Sequence, residues 1–282
     1  MRNRIAAVQM VSTADVQGNL QAAARLIANA AEQGAALVLL PENFAVLDGG
    51  PLRQFGEIQG DNDAPLQRFL AQQSSLHGIT LIGGTIPLIS RPSGNGEDQQ
   101  NLLQGRRVRP SCLVYSAEGN VVSRYDKIHL FDVVVDDGQA EYFESGSFVA
   151  GDEVVTFDSP LGRLGLTVCY DLRFPELYRK LTEAGAEILT VPSAFTRTTG
   201  AAHWETLLRA RAIENQCYVL AANQGGVHNE KRETYGHSMI IDPWGTVLDS
   251  VPVGEGVAVA EVDRDFLARI RRNMPIDTHR RL

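Results

Sequence analysis

"EQGAALVLLP", residues 32–41, and its echo "EAGAEILTVP", residues 183–192, decide how this chain folds. Each reads as a helix end, a glycine where a C-cap belongs, an apolar strand and a closing proline. An apolar strand that follows a helix so directly belongs in a βαβ unit. Around the first copy, "IAAVQM" (5–10) and "ITLIGGTI" (79–86) read as further strands, with helices near 17–33 and 65–77. The alternation predicts an α/β fold, a largely stacked sheet with helices outside. The repeat fits two equivalent half-domains about a pseudo-twofold axis, and it also fits the common grammar of αβ units. Residues 90–100, "SRPSGNGEDQQ" from Ser90, read as a surface insertion. Hairpins are expected at 112–125, around Ala117-Glu118-Gly119-Asn120, and at 240–251, around Asp242-Pro243-Trp244-Gly245.

The 282 residues are expected to form one large domain, 1–282, with a sizeable core. A hydrophobic share of 44% and a net charge of −8 describe a globular, enzyme-like chain and argue against nucleic acid. The basic tail, about 270–282, reads as a solvated or subunit-interface end. Cys112, Cys169 and Cys217 form no CxxC pair and are odd in number, so neither a disulfide framework nor a zinc site is suggested, and a cytoplasmic location is expected. The apolar run near the N-terminus is too short for a signal peptide, and no stretch approaches a membrane span.

Ligands bind where loops leave the strands of an α/β sheet, so the polar groups at strand ends carry the most information. Three stand out: Glu42 after "ALVLLP", Lys127 after "VVSRYD", and Cys169 after "LGLTV". A cysteine ending a strand is most often a small hydrophobe, the reading for Cys112 and Cys217. Cys169 differs, because Pro175 opens a helix just downstream and the segment resembles a nucleophile elbow in outline. The helix end and Arg173 would favour thiolate. No histidine is marked as its partner by spacing. "HWETL" (203–207) lacks the second histidine of HExxH, and no phosphate loop of the GxxxxGK[ST] type exists. His203 and Trp204 read as the start of a helix beneath the site. Spacing alone does not bring Glu42 and Lys127 to Cys169.

The blocks "LLPENF", "YDKIHLFD" and "VCYDLRFPE", in this order, resemble the nitrilase superfamily of carbon–nitrogen hydrolases, and the similarity runs from "AAVQM" to "THRRL". The resemblance implies a four-layer αββα sandwich, pairing as αββα-αββα in a homodimer or higher homo-oligomer. It implies Glu42, Lys127 and Cys169 as the catalytic set, with Glu144 of "YFESGSF" as a second glutamate. The blocks at 191–224 and 230–248 and the ending "RRNMPIDTHRRL" resemble the Nit-type amidase branch, with Ala201 where proline is common. That branch implies hydrolysis of a small α-keto acid amide, deaminated glutathione first. A 2-oxoglutaramate-type ω-amidase or an N-carbamoyl amino acid hydrolase is the alternative, and a non-catalytic binding protein the rival class.

The implied chemistry needs no metal or organic cofactor. Glu42 would take the thiol proton, while Lys127 and the Tyr170 backbone N–H would hold the oxyanion. Arg173 is expected to clamp a substrate carboxylate, or else to pair with Asp171 or Glu176. Phe195 and Thr196 are expected as pocket walls.

Overall fold

The computed structural model describes residues 3–47, 52–61, 64–89 and 107–281, so the stretch at 90–100 lies outside the described residues. Strand β1 (Arg4–Gln9) is followed by helix α1 (Val16–Glu32), whose N-cap Asp15 accepts the Gly18 amide at 3.2 Å. Ala23, Leu26, Ile27 and Ala30 form its buried stripe, spaced as one helix face requires. Gly34 at φ +87 then turns the chain into β2 (Ala35–Leu39). Gly185, at φ +88, makes the same turn between α3 (Pro175–Glu183) and β11 (Ile188–Ser193). Only glycine takes this left-handed conformation without strain, which is why both repeats carry one.

Those two strands are the centres of two matching units. In the first sheet β1, β2 and β3 (Thr80–Ile82) run parallel, with α1 and α2 (Pro65–His77) as crossovers. In the second, β10 (Gly162–Leu166), β11 and β12 (Tyr218–Asn223) run parallel, with α3 and α4 (Arg197–Asn215) as crossovers. The expected half-domains therefore exist as a βαβαβ repeat. The first sheet is completed by β4 (Ile86–Leu88), β5 (Arg109–Tyr115), β6 (Val121–Asp126) and β15 (Gly256–Glu261), in the order β15-β1-β2-β3-β5-β4 with β6 beside β5. The second is completed by β9 (Thr156–Ser159), β13 (Ser238–Ile241) and β14 (Val247–Val251), in the order β14-β13-β12-β11-β10-β9.

Period-two alternation builds the layers. Ile5, Ala7, Leu37 and Leu39 point toward the second sheet and share its core with Leu164, Leu166 and Ala221. Ala6, Val8, Val38 and Leu40 point the other way, against Ala23, Ile27, Leu66 and Leu70 of α1 and α2. Helices thus cover the outer faces of two stacked sheets, the αββα sandwich. Burying each large aliphatic side chain in it contributes about 1.5–3 kcal/mol.

Both expected hairpins form, β5 with β6 and β13 with β14, the second turned by Asp242, whose Oδ1 accepts the Trp244 and Thr246 amides at 2.8 and 2.9 Å. The single strand expected at 79–86 instead breaks into β3 and β4 at Gly83 and Gly84. Gly84 has φ +56, and a Cβ there would sit 2.0 Å from the Pro41 carbonyl oxygen. The break lets the backbone pass against Pro41, beside Glu42. Helix α4 starts at Arg197, capped by Thr196, rather than at His203. Buried Trp204 lies within it, its Nε1 donating to His237 O at 2.8 Å.

Toward the C-terminus, α5 (Arg264–Asn273) and α6 (Ile276–His279) pack back on the chain, where Arg271 Nη2 donates to Ala186 O at 2.8 Å. Among the described residues no helix is long and apolar enough to cross a membrane.

Candidate active site

Glu42 leaves the end of β2, Lys127 the end of β6, and Cys169 the loop after β10, and the face-to-face sheets bring all three together. Lys127 Nζ donates to Glu42 Oε1 at 2.8 Å and to both oxygens of Glu144 at 2.8 Å. Glu42 Oε2 accepts the Ala194 amide at 2.9 Å, and the Glu42 charge acts on the Cys169 thiol. Glu42, Lys127 and Cys169 are all buried. Glu144, in a short 3-10 turn after β8 (Glu141–Phe143), also accepts the Phe131 amide at 2.5 Å.

Charge balance explains this packing. Burial alone would push the Lys127 ammonium down, but Glu144 and Glu42 together hold it well above its ordinary range. Burial pushes Glu144 up, opposed by Lys127 and reinforced by Glu42. A buried cation with two carboxylates is stable only as a set, since removing one member strands the others.

Cys169 departs from expectation in one respect. Burial and then the Glu42 charge push its thiol well above the ordinary range, against the pull of Lys127 and the Ala194 amide. Helix α3 begins at Pro175, beyond an intervening 3-10 turn spanning Cys169–Arg173, so its positive end does not abut the sulfur. Burial and Glu42 thus favour the protonated thiol at Cys169, and no helix end abuts the sulfur to favour thiolate.

The turn at Cys169 is strained and braced. Cys169 has φ +47, a left-handed conformation costly for a side-chain-bearing residue. Fully buried Asp171 holds the turn: its Oδ2 accepts the Val168 amide at 2.8 Å and the Tyr125 hydroxyl at 2.6 Å. Its Oδ1 accepts the His129 amide at 3.0 Å and lies 2.6 Å from His129 Nδ1. Asp171 therefore ties the cysteine turn to the segment that carries Lys127.

A cleft of about 240 Å³ opens over the group. Phe195 and Thr196 line it, as does Tyr170. Arg173 is not among the lining residues. Its guanidinium lies over the Phe195 ring at 5.3 Å and the Tyr170 ring at 5.9 Å, with Nη1 3.3 Å from His203 Nδ1. Arg173 makes no pair with Asp171, because that carboxylate is taken up by Tyr125, His129 and Val168. Among the described residues, the guanidinium that lines the cleft belongs to Arg232, over the Tyr142 ring at 5.9 Å. Sequence reasoning missed Arg232, Asp171 and the Ala194 amide. "YDKIH" and "CYD" carried the only local hint, an acid and a histidine beside two predicted site residues.

Comparison with known proteins agrees with this geometry. The carbon-nitrogen hydrolase family model matches residues 4–272. A deaminated glutathione amidase of Synechocystis is 42% identical over 278 residues, covering 98% of this chain and 97% of that protein. The structure of the C. elegans NitFhit protein superposes with a TM-score of 0.84 at 37% identity, covering 99% of this chain and 65% of that longer one. S. cerevisiae Nit3, a member of branch 10 of the nitrilase superfamily, gives a TM-score of 0.85 at 29% identity, covering 99% of this chain and 96% of that one. Glu42, Lys127 and Cys169, converging from three strand ends between two stacked sheets, thus sit in a protein that belongs to the carbon-nitrogen hydrolase family of the nitrilase superfamily.

Proposed function

We propose that this carbon–nitrogen hydrolase is a cysteine amidase whose substrate is a small α-keto acid amide, deaminated glutathione first, cleaved to 2-oxoglutarate and cysteinylglycine. The observation that carries the mechanism is the position of Glu42. One oxygen is on Lys127, the other on the Ala194 amide, and the Glu42 charge helps push the Cys169 thiol up. The name of the Synechocystis relative supports the substrate.

In this reading Glu42 takes the proton as Cys169 Sγ bonds to the amide carbon. The carbonyl oxygen becomes an oxyanion, held by Lys127 Nζ and the Tyr170 backbone N–H. The C–N bond then breaks as Glu42 returns the proton to the departing amine, leaving a thioester on Cys169. Glu42 next draws a proton from water, whose oxygen attacks the thioester carbon; the C–S bond breaks to release the acid, and Glu42 returns that proton to the Cys169 sulfur. Glu144 keeps Lys127 charged and aimed. Phe195 and Thr196 wall the acyl group, and Arg173, stacked on Phe195, stiffens that wall.

The reading extends to the whole chain: one domain, 1–282, acting in the cytoplasm as a homo-oligomer, with the tail from about 270 near the subunit contact. Three free, buried cysteines support a reducing compartment. The substrate is tested by kcat/KM on deaminated glutathione, 2-oxoglutaramate and an N-carbamoyl amino acid. Preference for the first is expected, and a strong preference for the carbamoyl compound overturns the assignment.

A further inference from the structure

Two left-handed positions meet beside Glu42. Asn43 has φ +56, a conformation that costs a residue with a side chain, and Gly84 at φ +56 leads Thr85 past the same segment. Strain persists where the surroundings hold it, and here they do. Gln224 Nε2 donates to Glu42 O at 3.1 Å, the Ser12 hydroxyl to Phe44 O at 2.8 Å, and Asn19 Nδ2 to Ala45 O at 2.9 Å. The Leu47 amide donates to Thr13 O at 3.0 Å. The segment from Glu42 to Leu47 is therefore fixed, and Asn43, Val46 and Leu47 line the cleft from it.

The break between β3 and β4 orients the Asn43 side chain. Buried Thr85 accepts the Asn43 backbone N–H on Oγ1 at 2.9 Å and directs its own proton to Asn43 Oδ1 at 3.4 Å. The acceptor end of the carboxamide is thus engaged, while Nδ2 has no hydrogen-bond partner among the described residues. Asn43 is half-buried on the cleft wall, so what it offers a ligand is a pair of N–H donors without charge. Beside them, Val46 and Leu47 are apolar. An apolar stretch next to a lone donor group matches the acyl half of deaminated glutathione, two methylenes that lead to a keto oxygen, better than the peptide half, which is polar throughout.

We propose that Asn43 is a specificity residue whose Nδ2 donates to the 2-keto oxygen of the acyl half, with Val46 and Leu47 against the methylenes. This deepens, and rests on, the reading of the substrate as an α-keto acid amide. A keto oxygen accepts such a bond, whereas an α-ammonium group has donors alone and would face the N–H groups of Asn43 unpaired. The contact separates keto acid amides from amino acid amides of the same length and does not enter the proton transfers.

The test compares three substrates with the same scissile bond, chain length and carboxylates: deaminated glutathione, glutaryl-cysteinylglycine with a methylene in place of the keto group, and glutathione with an ammonium there. Wild-type enzyme is expected to favour the keto compound over the methylene compound in kcat/KM by about 10-fold, the worth of one hydrogen bond. Asn43→Gly accepts the left-handed backbone, and in it these two substrates should converge, mainly by a higher KM for the keto compound. Asn43→Asp replaces the donor by an acceptor of the same shape, so glutathione should gain at least several-fold relative to the keto compound. Each readout is a ratio within one protein, so a general loss of activity cancels. If Asn43→Gly folds poorly, the wild-type comparison and Asn43→Asp decide. Equal wild-type rates on the keto and methylene compounds, a preference that survives in Asn43→Gly, or a glutathione ratio unmoved in Asn43→Asp overturns the assignment of Asn43 while leaving the substrate reading intact. Wild-type enzyme that does not hydrolyse deaminated glutathione overturns that reading and the assignment together.

Discussion

The Lys127 ammonium lies 2.8 Å from the Glu42 carboxylate across 85 residues of sequence, and the same nitrogen is 2.8 Å from both oxygens of Glu144. One cation between two buried carboxylates is at once the oxyanion donor of the proposed reaction and the group that makes this floor foldable. Lys127→Met should lower kcat by about 10²- to 10³-fold or more. It should also destabilise the fold by about 3–5 kcal/mol, because it strands two carboxylates in the core. Urea denaturation should show part of that stability returning as pH falls and the stranded carboxyls take up protons.

In the proposed mechanism Glu144 acts through Lys127, so its removal should appear in turnover rather than affinity. Glu144→Gln keeps the shape and a hydrogen-bond acceptor for Lys127 but removes the charge that helps hold the ammonium. A fall in kcat of about 10²-fold with KM changed little is the expected split for an interaction felt in the transition state. A rise in KM at constant kcat would place Glu144 in substrate binding instead.

The other buried thiols make stability depend on alkaline pH. Burial pushes Cys112 up to about 12 and Cys217 up to about 11, from an ordinary value of 9.0. Above pH 9 the unfolded chain loses these protons while the folded chain keeps them, so stability falls as pH rises. Each thiol contributes a slope of about 1.4 kcal/mol per pH unit between the two values, and below pH 9 its contribution is fully present. Cys112→Ala should remove one share of that slope in denaturation curves taken from pH 8 to 11.

Gly84 links the break in the first sheet to the site. With φ +56 and the Pro41 carbonyl oxygen 2.0 Å from the place of a Cβ, Gly84→Ala must move the backbone that leads into Glu42. A loss of more than about 2 kcal/mol in denaturation is expected, together with reduced kcat.

Much of this was legible beforehand, for reasons that are local. The paired helix, glycine and strand at 32–41 and 183–192 announced the βαβαβ repeat, because a left-handed cap and an apolar strand depend on near neighbours. Glu42, Lys127 and Cys169 each stand at a strand end within a distinctive block, and the fold brings those three strand ends together. What escaped depends on distant chain. The Ala194 amide meets Glu42 across 152 residues, and Asp171 meets Tyr125 across 46. Arg232 reaches the cleft from a loop with no apolar periodicity to mark it. "ITLIGGTI" read as one strand because its composition is strand-like, and only the passage of Pro41 against Gly84 shows why it breaks. Arg173 is close to Cys169 in sequence, but its stacking on Phe195 joins it to a distant part of the chain that the local segment does not reveal.

The central claim is that Cys169 carries the acyl group. Intact-mass spectrometry of enzyme mixed with deaminated glutathione and quenched in acid within milliseconds tests it most directly. A 2-oxoglutaryl adduct that maps to Cys169, and that is absent together with turnover in Cys169→Ala, is the predicted result. Turnover that persists in Cys169→Ala, or an adduct on another residue, would contradict it.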